Sequence, residues 1–127
     1  MKLKEEENNY VLYHNSKCSK SRTCLKIIQE KKITCKEFHY LKEGLTLSNL
    51  NEIIDNLHNP LNALIRTNEK YFKQNKFDVN NKTKIANFLF KFPICIQRPL
   101  FFNGKKYIIC RPPEEILNHL WLKWKSK

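Results

Sequence analysis

Apolar residues along this chain recur with two different periods, which predict strands and helices in a definite order. Residues 10–13 are a short run of strand formers, and a second strand is predicted at residues 37–41. Between them, the apolar side chains of residues 22–32 fall on one face of a helix that Ser19 or Ser21 could cap. The first third of the chain is therefore predicted to form a strand, a helix and a strand.

A block of helices is predicted to follow. Gly44 interrupts the pattern, and Thr46 can cap a helix whose apolar positions extend to Leu57. Residues 60–73 predict one or two short helices, and another helix ends before Pro93 because proline cannot continue a helix.

Near the C-terminus, the pattern of apolar residues is again typical of β-strands. Residues 100–102 and 107–110, joined by Asn103-Gly104, predict a β-hairpin. Residues 111–115 begin a last helix, since prolines and acidic residues are favourable in a first helical turn.

This order of elements is the layout of a thioredoxin-like domain. We expect an α/β fold with a central mixed four-stranded sheet flanked by helices, and an inserted helical segment at about residues 46–92. A chain of 127 residues supports one domain and one moderate core. That domain is expected over residues 10–124, after a polar N-terminal lead-in at residues 1–9.

Composition narrows the class of protein. The N-terminus lacks the apolar run of a signal peptide and no stretch could span a bilayer, so a cytoplasmic protein without membrane contact is expected. The five cysteines contain no Cys-x-x-Cys pair, so we expect reduced thiols and no zinc site. The histidines show no ligand spacing, and no metal is expected.

The net charge of +12 invites comparison with nucleic-acid-binding proteins. However, the lysines are spread along the whole chain, and asparagine is also abundant, as in proteins from A+T-rich genomes. A solvated lysine surface and no nucleic-acid partner are therefore expected.

Arginine is scarce against this background of lysine. The chain has 24 basic residues, of which only four are arginine: Arg22, Arg66, Arg98 and Arg111. A guanidinium can grip a tetrahedral oxyanion with two parallel hydrogen bonds, which an ammonium cannot do. The four arginines therefore indicate an oxyanion site, with surface ion pairs as the alternative.

Cys18 follows the first predicted strand, where the first helix begins. The positive end of the helix and the nearby Lys17, Lys20 and Arg22 favour a thiolate, so a lowered pKa is predicted. The polar flanks argue against the alternative, a buried structural cysteine. His14 could tune this thiolate or relay a proton, or it could be a loop residue bonded to backbone.

The other cysteines are predicted to be mostly structural. Cys24 lies on the apolar face of the first helix, and Cys35 and Cys95 lie near strands, so all three are expected to be small core residues. Cys110 directly precedes Arg111 and is an outside candidate for a second thiol at the site.

Residues 14–22, His-Asn-Ser-Lys-Cys-Ser-Lys-Ser-Arg, closely resemble the active-site loop of the glutaredoxin-linked arsenate reductases, the ArsC family. Residues 64–69, 97–100 and 111–114 resemble three further arginine segments of that family, in the same order. The match runs from about residue 10 to residue 120. Four motifs in order make the resemblance specific.

The resemblance implies that Cys18 is the nucleophile that bonds to arsenic and that Pro99 is the cis-proline opposite it. The family's oxyanion-binding positions fall on Arg66, Arg98 and Arg111. The positions that support the thiolate fall on His14, Ser21 and Arg22. Three of the four scarce arginines thus fall on positions that bind the oxyanion in the family.

The activity implied by the resemblance is reduction of arsenate to arsenite through a cysteine–arsenic adduct. External glutathione and a glutaredoxin would resolve the adduct, with no bound cofactor, and a monomer is expected. Two residues depart from the family pattern: Ser16 replaces a proline, and Cys110 replaces a glycine before the last arginine.

Two other functions remain open from the sequence. One is a glutathione-dependent thiol/disulfide oxidoreductase without arsenate specificity. The other is an Spx-like, RNA polymerase-binding redox regulator, which typically carries a Cys-x-x-Cys switch where this chain has Ser21.

Overall fold

A mixed sheet of four short strands organises the structure, a computed structural model that describes residues 9–120. The ends of the predicted lead-in and domain, residues 1–8 and 121–124, lie outside the described residues. The elements are β1 Val11–Tyr13, α1 Ser19–Glu30, β2 Lys36–Phe38, α2 Tyr40–Glu43, α3 Leu47–Asp55, a 3₁₀ turn Leu61–Ala63, α4 Lys70–Gln74, α5 Lys82–Lys91, a 3₁₀ turn Pro93–Cys95, β3 Leu100–Phe102, β4 Tyr107–Ile109 and a 3₁₀ helix Pro113–His119.

The strand order is β2-β1-β3-β4. β1 runs parallel to β2 and antiparallel to β3, with Leu12 opposite Glu37 and Phe101. β3 and β4 form an antiparallel hairpin in which Phe101 faces Ile108. The predicted mixed four-stranded sheet flanked by helices is confirmed.

Both faces of the sheet are covered, which divides the core into two clusters. Because side chains alternate along a strand, neighbouring residues enter opposite clusters. The larger cluster, under the helical block of α2 to α5, takes Tyr13, Leu100 and Ile109. The smaller cluster, under α1 and the C-terminal 3₁₀ helix, takes Leu12, Phe101, Ile108 and Cys110.

The helical insertion predicted at about residues 46–92 contains α3, α4 and α5. Thr46 caps α3 as predicted, since its hydroxyl accepts from the Asn49 N–H while the Asn49 side chain binds the Thr46 N–H. α5 begins after Asn81, whose side chain accepts from Lys84 N, and ends before Pro93. Helices α3 and α5 pack on each other and close the larger cluster.

The second strand is shorter than predicted, and this difference shapes the site. β2 ends at Phe38, and Tyr40, predicted to be in the strand, is the first residue of α2. The backbone N–H of His39 donates to the Glu43 carboxylate at 3.1 Å, which holds the chain in a turn. The predicted extension of the strand to residue 41 is wrong because this turn places the Tyr40 ring in the larger cluster.

The start of helix α1, the length of the hairpin loop and the type of the last helix also differ from the sequence prediction. Helix α1 begins at Ser19 with Cys18 as its cap residue, rather than a serine. The hairpin loop is wider than Asn103-Gly104, since Asn103 N bonds to the carbonyl of Lys106. The last helix is a 3₁₀ helix over the described residues, because it begins with a proline pair and no α-helical ladder forms.

Candidate active site

The loop between β1 and α1 is held by hydrogen bonds among its own residues. The Asn15 carbonyl accepts from Cys18 N at 2.9 Å, and Asn15 Oδ1 accepts from Lys17 N at 3.0 Å. Ser21 Oγ accepts from Asn15 N at 3.1 Å and lies 2.7 Å from His14 Nδ1. Ser21 is therefore not free to cap α1, and it fastens the loop to the first turn of the helix.

His14 is buried and supports the site through position rather than charge. Burial lowers the pKa of His14, and the neighbouring His39, whose ring centroid is 5.4 Å away, lowers it further. A neutral imidazole near pH 7 provides no cation for the thiolate. It does hold Ser21, which in turn holds the loop.

Arg22 closes the same loop from the solvent side. Its Nη1 donates to the Ser16 carbonyl at 2.8 Å, and its side chain is otherwise exposed. This contact falls on Ser16, the position where the family resemblance implies a proline. We infer that Arg22 restrains the loop where a proline ring would otherwise stiffen it.

Cys18 is partly buried at the N-terminus of α1. Burial would raise the pKa of its thiol, but the Arg98 guanidinium and the backbone N–H groups of Ser21 and Lys20 lower it. The net effect is a pKa below the ordinary cysteine value, as the sequence predicts. The side chain responsible is Arg98, which is distant in sequence.

The register of the hairpin brings Arg98 and Arg111 together. Leu100 faces Ile109, and one step further along, Cys110 N donates to the Pro99 carbonyl at 2.9 Å. Arg111 Nη1 donates to the carbonyl of Arg98 at 2.9 Å. The Arg98–Pro99 peptide is cis, the geometry expected of Pro99, and the Arg111–Pro112 peptide is cis as well.

Arg66 reaches the same region through a short bridge between loops. Ile65 pairs antiparallel with Ile96, and Arg66 N donates to the Cys95 carbonyl at 2.7 Å. The Arg66 guanidinium is ion-paired with Glu69 and lies close enough to act on the Tyr40 hydroxyl. Arg98 therefore lies beside the Cys18 sulfur, Arg66 acts on the same Tyr40 hydroxyl as Arg98, and Arg111 contacts the Arg98 backbone.

Tyr40 belongs to this group, although no sequence pattern pointed to it. Its side chain is fully buried, and its hydroxyl lies near Arg98, Cys18 and Arg66. Burial raises the pKa of Tyr40 to about 12, so the phenol keeps its proton. A tyrosine in an apparent strand is indistinguishable from an ordinary core residue in a single sequence.

Cys110 does not join the site. It is fully buried in the smaller cluster, on the opposite face of the sheet from Tyr13 and Leu100, and lies beside Cys24. The contact with Cys24 and burial raise the pKa of Cys110 far above its ordinary value. Its candidacy as a second thiol is wrong, because Cys110 is buried in the core beside Cys24 and burial keeps its thiol protonated.

The remaining thiols are also unsuited to chemistry. Cys24 and Cys95 are buried, as predicted, and burial raises the pKa of Cys95. Burial raises the pKa of Cys35 to about 12, although part of this side chain remains exposed. Cys18 is the cysteine whose pKa is lowered.

A cavity of about 390 Å³ adjoins the active-site loop. Its walls are residues 14–17 of the loop and His39, Leu41 and Lys42 from the turn after β2. Lys17 and Lys42 give it positive charge, and both are exposed. The cavity is wide enough for a small anionic molecule, and the loop residues that line it directly precede Cys18 in the chain.

Over residues 9–120, no group of three or more histidine, cysteine or acidic side chains is arranged to bind a metal ion. In the same part of the chain, no helix is long and apolar enough to cross a membrane.

Comparisons with known proteins identify the family of the chain and agree with its fold. The family model described as ArsC family matches residues 13–119. The arsenate reductase of Haemophilus influenzae is 30% identical, over 87% of this chain and 97% of that protein. The arsenate reductase of Escherichia coli K12 is 28% identical, over 89% and 82%. A solved arsenate reductase structure from Vibrio cholerae superposes with a TM-score of 0.79 at 26% identity, over 89% and 98%.

Proposed function

Because the chain belongs to the ArsC family, we propose that it is an arsenate reductase whose nucleophile is Cys18. The observation that carries this proposal is the position of Cys18 at a helix N-terminus with Arg98 beside its sulfur and its pKa lowered. A thiolate next to a guanidinium is suited to attack an oxyanion that the same guanidinium holds.

The first step forms a bond between the Cys18 sulfur and As(V). One arsenate oxygen takes up protons and leaves as water, so arsenic stays pentavalent. Arg98, Arg66 and Arg111 stabilise the charge on the remaining oxygens. Because Arg111 also binds the Arg98 carbonyl, it keeps the cis Arg98–Pro99 step in place beside the adduct.

The reducing electrons come from thiols outside the chain. Glutathione displaces a second oxygen as water and forms an As–S bond. A glutaredoxin thiolate then attacks the glutathione sulfur, and the electron pair of the broken As–S bond reduces As(V) to As(III). Water finally releases arsenite and restores Cys18. External thiols are needed because Cys24, Cys95 and Cys110 are buried, burial raises the pKa of Cys35 to about 12, and Ser21 occupies the third position after Cys18.

A coupled assay tests this function directly. We expect purified protein, glutathione, a glutaredoxin and glutathione reductase to consume NADPH only when arsenate is present. Turnover with thioredoxin and thioredoxin reductase instead would contradict the glutathione route. Arsenate-independent reduction of a mixed disulfide would favour a thiol oxidoreductase on the same scaffold, against arsenate reduction.

We further propose that the cavity beside the loop receives glutathione. Glutathione carries two carboxylates, and Lys17 and Lys42 place two exposed cations at the cavity. The cavity is lined by the four residues that precede Cys18, and the proposal requires the thiol of glutathione bound there to reach the adduct. Positive charge at this place attracts the anionic co-substrate and favours its capture.

Substitution of Lys42 tests the glutathione subsite independently of the oxyanion site. Lys42→Ala should raise KM for glutathione about two- to fivefold, the range expected of one exposed ion pair. Lys42→Glu should raise it further, while KM for arsenate stays unchanged. Lys31→Ala, at the other end of α1, is the control for loss of one positive charge. Equal effects of Lys31→Ala and Lys42→Ala on KM for glutathione would contradict the subsite.

A further inference from the structure

Two buried polar atoms near the active-site sulfur make no hydrogen bond of good geometry within residues 9–120, although the Tyr40 hydroxyl lies beside the Arg98 guanidinium. They are the Tyr40 hydroxyl and Arg98 Nε. Buried polar groups are nearly always paired, because leaving one unpaired sacrifices the hydrogen bonds it made with water. Two such atoms at one place therefore indicate that an acceptor from outside the protein belongs there.

The Tyr40 side chain is held firmly in its position. It is the first residue of α2, has no solvent exposure, and packs against the Tyr13 ring at a centroid distance of 6.5 Å. The hydrogen bond from His39 N to Glu43 fixes the turn that carries it. The hydroxyl faces the region shared by Arg98, Arg66 and Cys18.

The hydrogen-bonding character of Arg98 and Tyr40 indicates what kind of ligand would pair with them. A guanidinium only donates hydrogen bonds, and a buried phenol keeps its proton near neutral pH and can donate as well. Two hydrogen-bond donors close to a nucleophilic sulfur favour a ligand that has several acceptor atoms. A tetrahedral oxyanion attacked by that sulfur has several oxygens able to accept from both donors.

We propose that Tyr40 is an oxyanion-binding residue, which donates from its hydroxyl to an oxygen of the arsenate that Cys18 attacks. This inference rests on the proposed function for the identity of the anion. Tyr40 differs from the three arginines because it adds a neutral donor, which helps to orient the anion without adding charge. Its loss should therefore weaken oxyanion binding and leave the thiolate unchanged.

The test uses Tyr40→Phe, which keeps the ring and removes the hydroxyl. The matched control is Tyr13→Phe, since Tyr13 is another buried tyrosine of the same cluster whose hydroxyl lies beside Tyr107. We expect kcat/KM for arsenate to fall about 10- to 100-fold in Tyr40→Phe, the loss expected of a hydrogen bond to a charged group. Tyr13→Phe should stay within about twofold of wild type.

A second measurement does not depend on turnover. We expect iodoacetamide to alkylate Cys18 and a bound oxyanion to protect it, so the arsenate concentration for half-protection reports binding. We expect this concentration to rise about 10-fold or more in Tyr40→Phe, while the pH dependence of alkylation without arsenate is unchanged. Protection lost with Tyr40→Phe would support the oxyanion role even in a protein without arsenate turnover, a result that would refute only the proposed reductase.

Three results would overturn the inference. One is equal protection by arsenate in wild type and Tyr40→Phe. Another is absence of protection in wild type, since the converging donors would then bind no oxyanion. The third is a shift of the alkylation profile in Tyr40→Phe as large as the loss in kcat/KM, because Tyr40 would then act on the thiolate.

Discussion

We expect Cys18→Ser to abolish arsenate-dependent turnover, a loss of about 10³-fold or more, because removal of a nucleophile leaves only binding contributions. A serine hydroxyl in the same position would remain protonated near neutral pH. The Arg98 guanidinium and the N–H groups at the start of α1 lower the pKa of a thiol into a useful range, but they cannot do so for an alcohol.

Cys35→Ser is the matched control for this variant. Both cysteines are partly exposed, yet burial raises the pKa of Cys35 to about 12, whereas the pKa of Cys18 is lowered. The Cys35 variant should retain full turnover. Peptide mapping after brief alkylation at neutral pH should find label on Cys18 well before Cys35. Comparable turnover in Cys18→Ser and wild type would remove Cys18 from the reaction.

The second large effect is expected from Arg98→Lys. The Arg98 side chain acts on the Cys18 sulfur, donates from Nη1 to the Ile94 carbonyl at 3.3 Å, and lies beside the Tyr40 hydroxyl. Lysine keeps the charge but lacks the planar fork and cannot make these contacts together. We expect kcat/KM for arsenate to fall about 100-fold, in the range measured for loss of an oxyanion donor.

This variant should also change the pH dependence. Arg98 favours the thiolate first through a hydrogen bond and then through its charge. Lysine keeps the charge but does not reproduce this hydrogen bond, so the pKa of Cys18 should rise and the thiolate fraction at a given pH should fall. The rising limb of the alkylation rate against pH should therefore move to higher pH. Arg22→Lys is the comparison, because Arg22 touches the Ser16 carbonyl and should give the smaller loss. An unshifted profile together with undiminished turnover in Arg98→Lys would exclude the proposed role of Arg98.

Features that depend on neighbours in sequence were predictable. The hairpin, the Thr46 cap and the helix that ends before Pro93 each follow from a local pattern that the structure contains. The lowered pKa of Cys18 was also predicted, since a cysteine at the start of a helix meets the N–H groups of the first turn wherever the helix lies. The scarcity of arginine also pointed to the residue type whose side chain lowers the pKa of Cys18.

Contacts between distant segments were predictable only by resemblance to a family. The cations near Cys18 in sequence are Lys17, Lys20 and Arg22, but the guanidinium that acts on its sulfur belongs to Arg98. The position of Arg98 depends on the pairing of β3 with β1 and on the short bridge between Ile65 and Ile96. No local periodicity encodes these pairings.

By itself, then, the sequence determined the periods, the Thr46 cap and the helix that follows Cys18, because these depend on backbone interactions a few residues apart. Only the tertiary structure decided which side chains meet at the sulfur. Strand alternation turned Cys110 into the core beside Cys24, and the turn closed by Glu43 moved Tyr40 from an expected strand to the side of Arg98. Both outcomes depend on packing between segments far apart in the chain, where burial and register outweigh local preference.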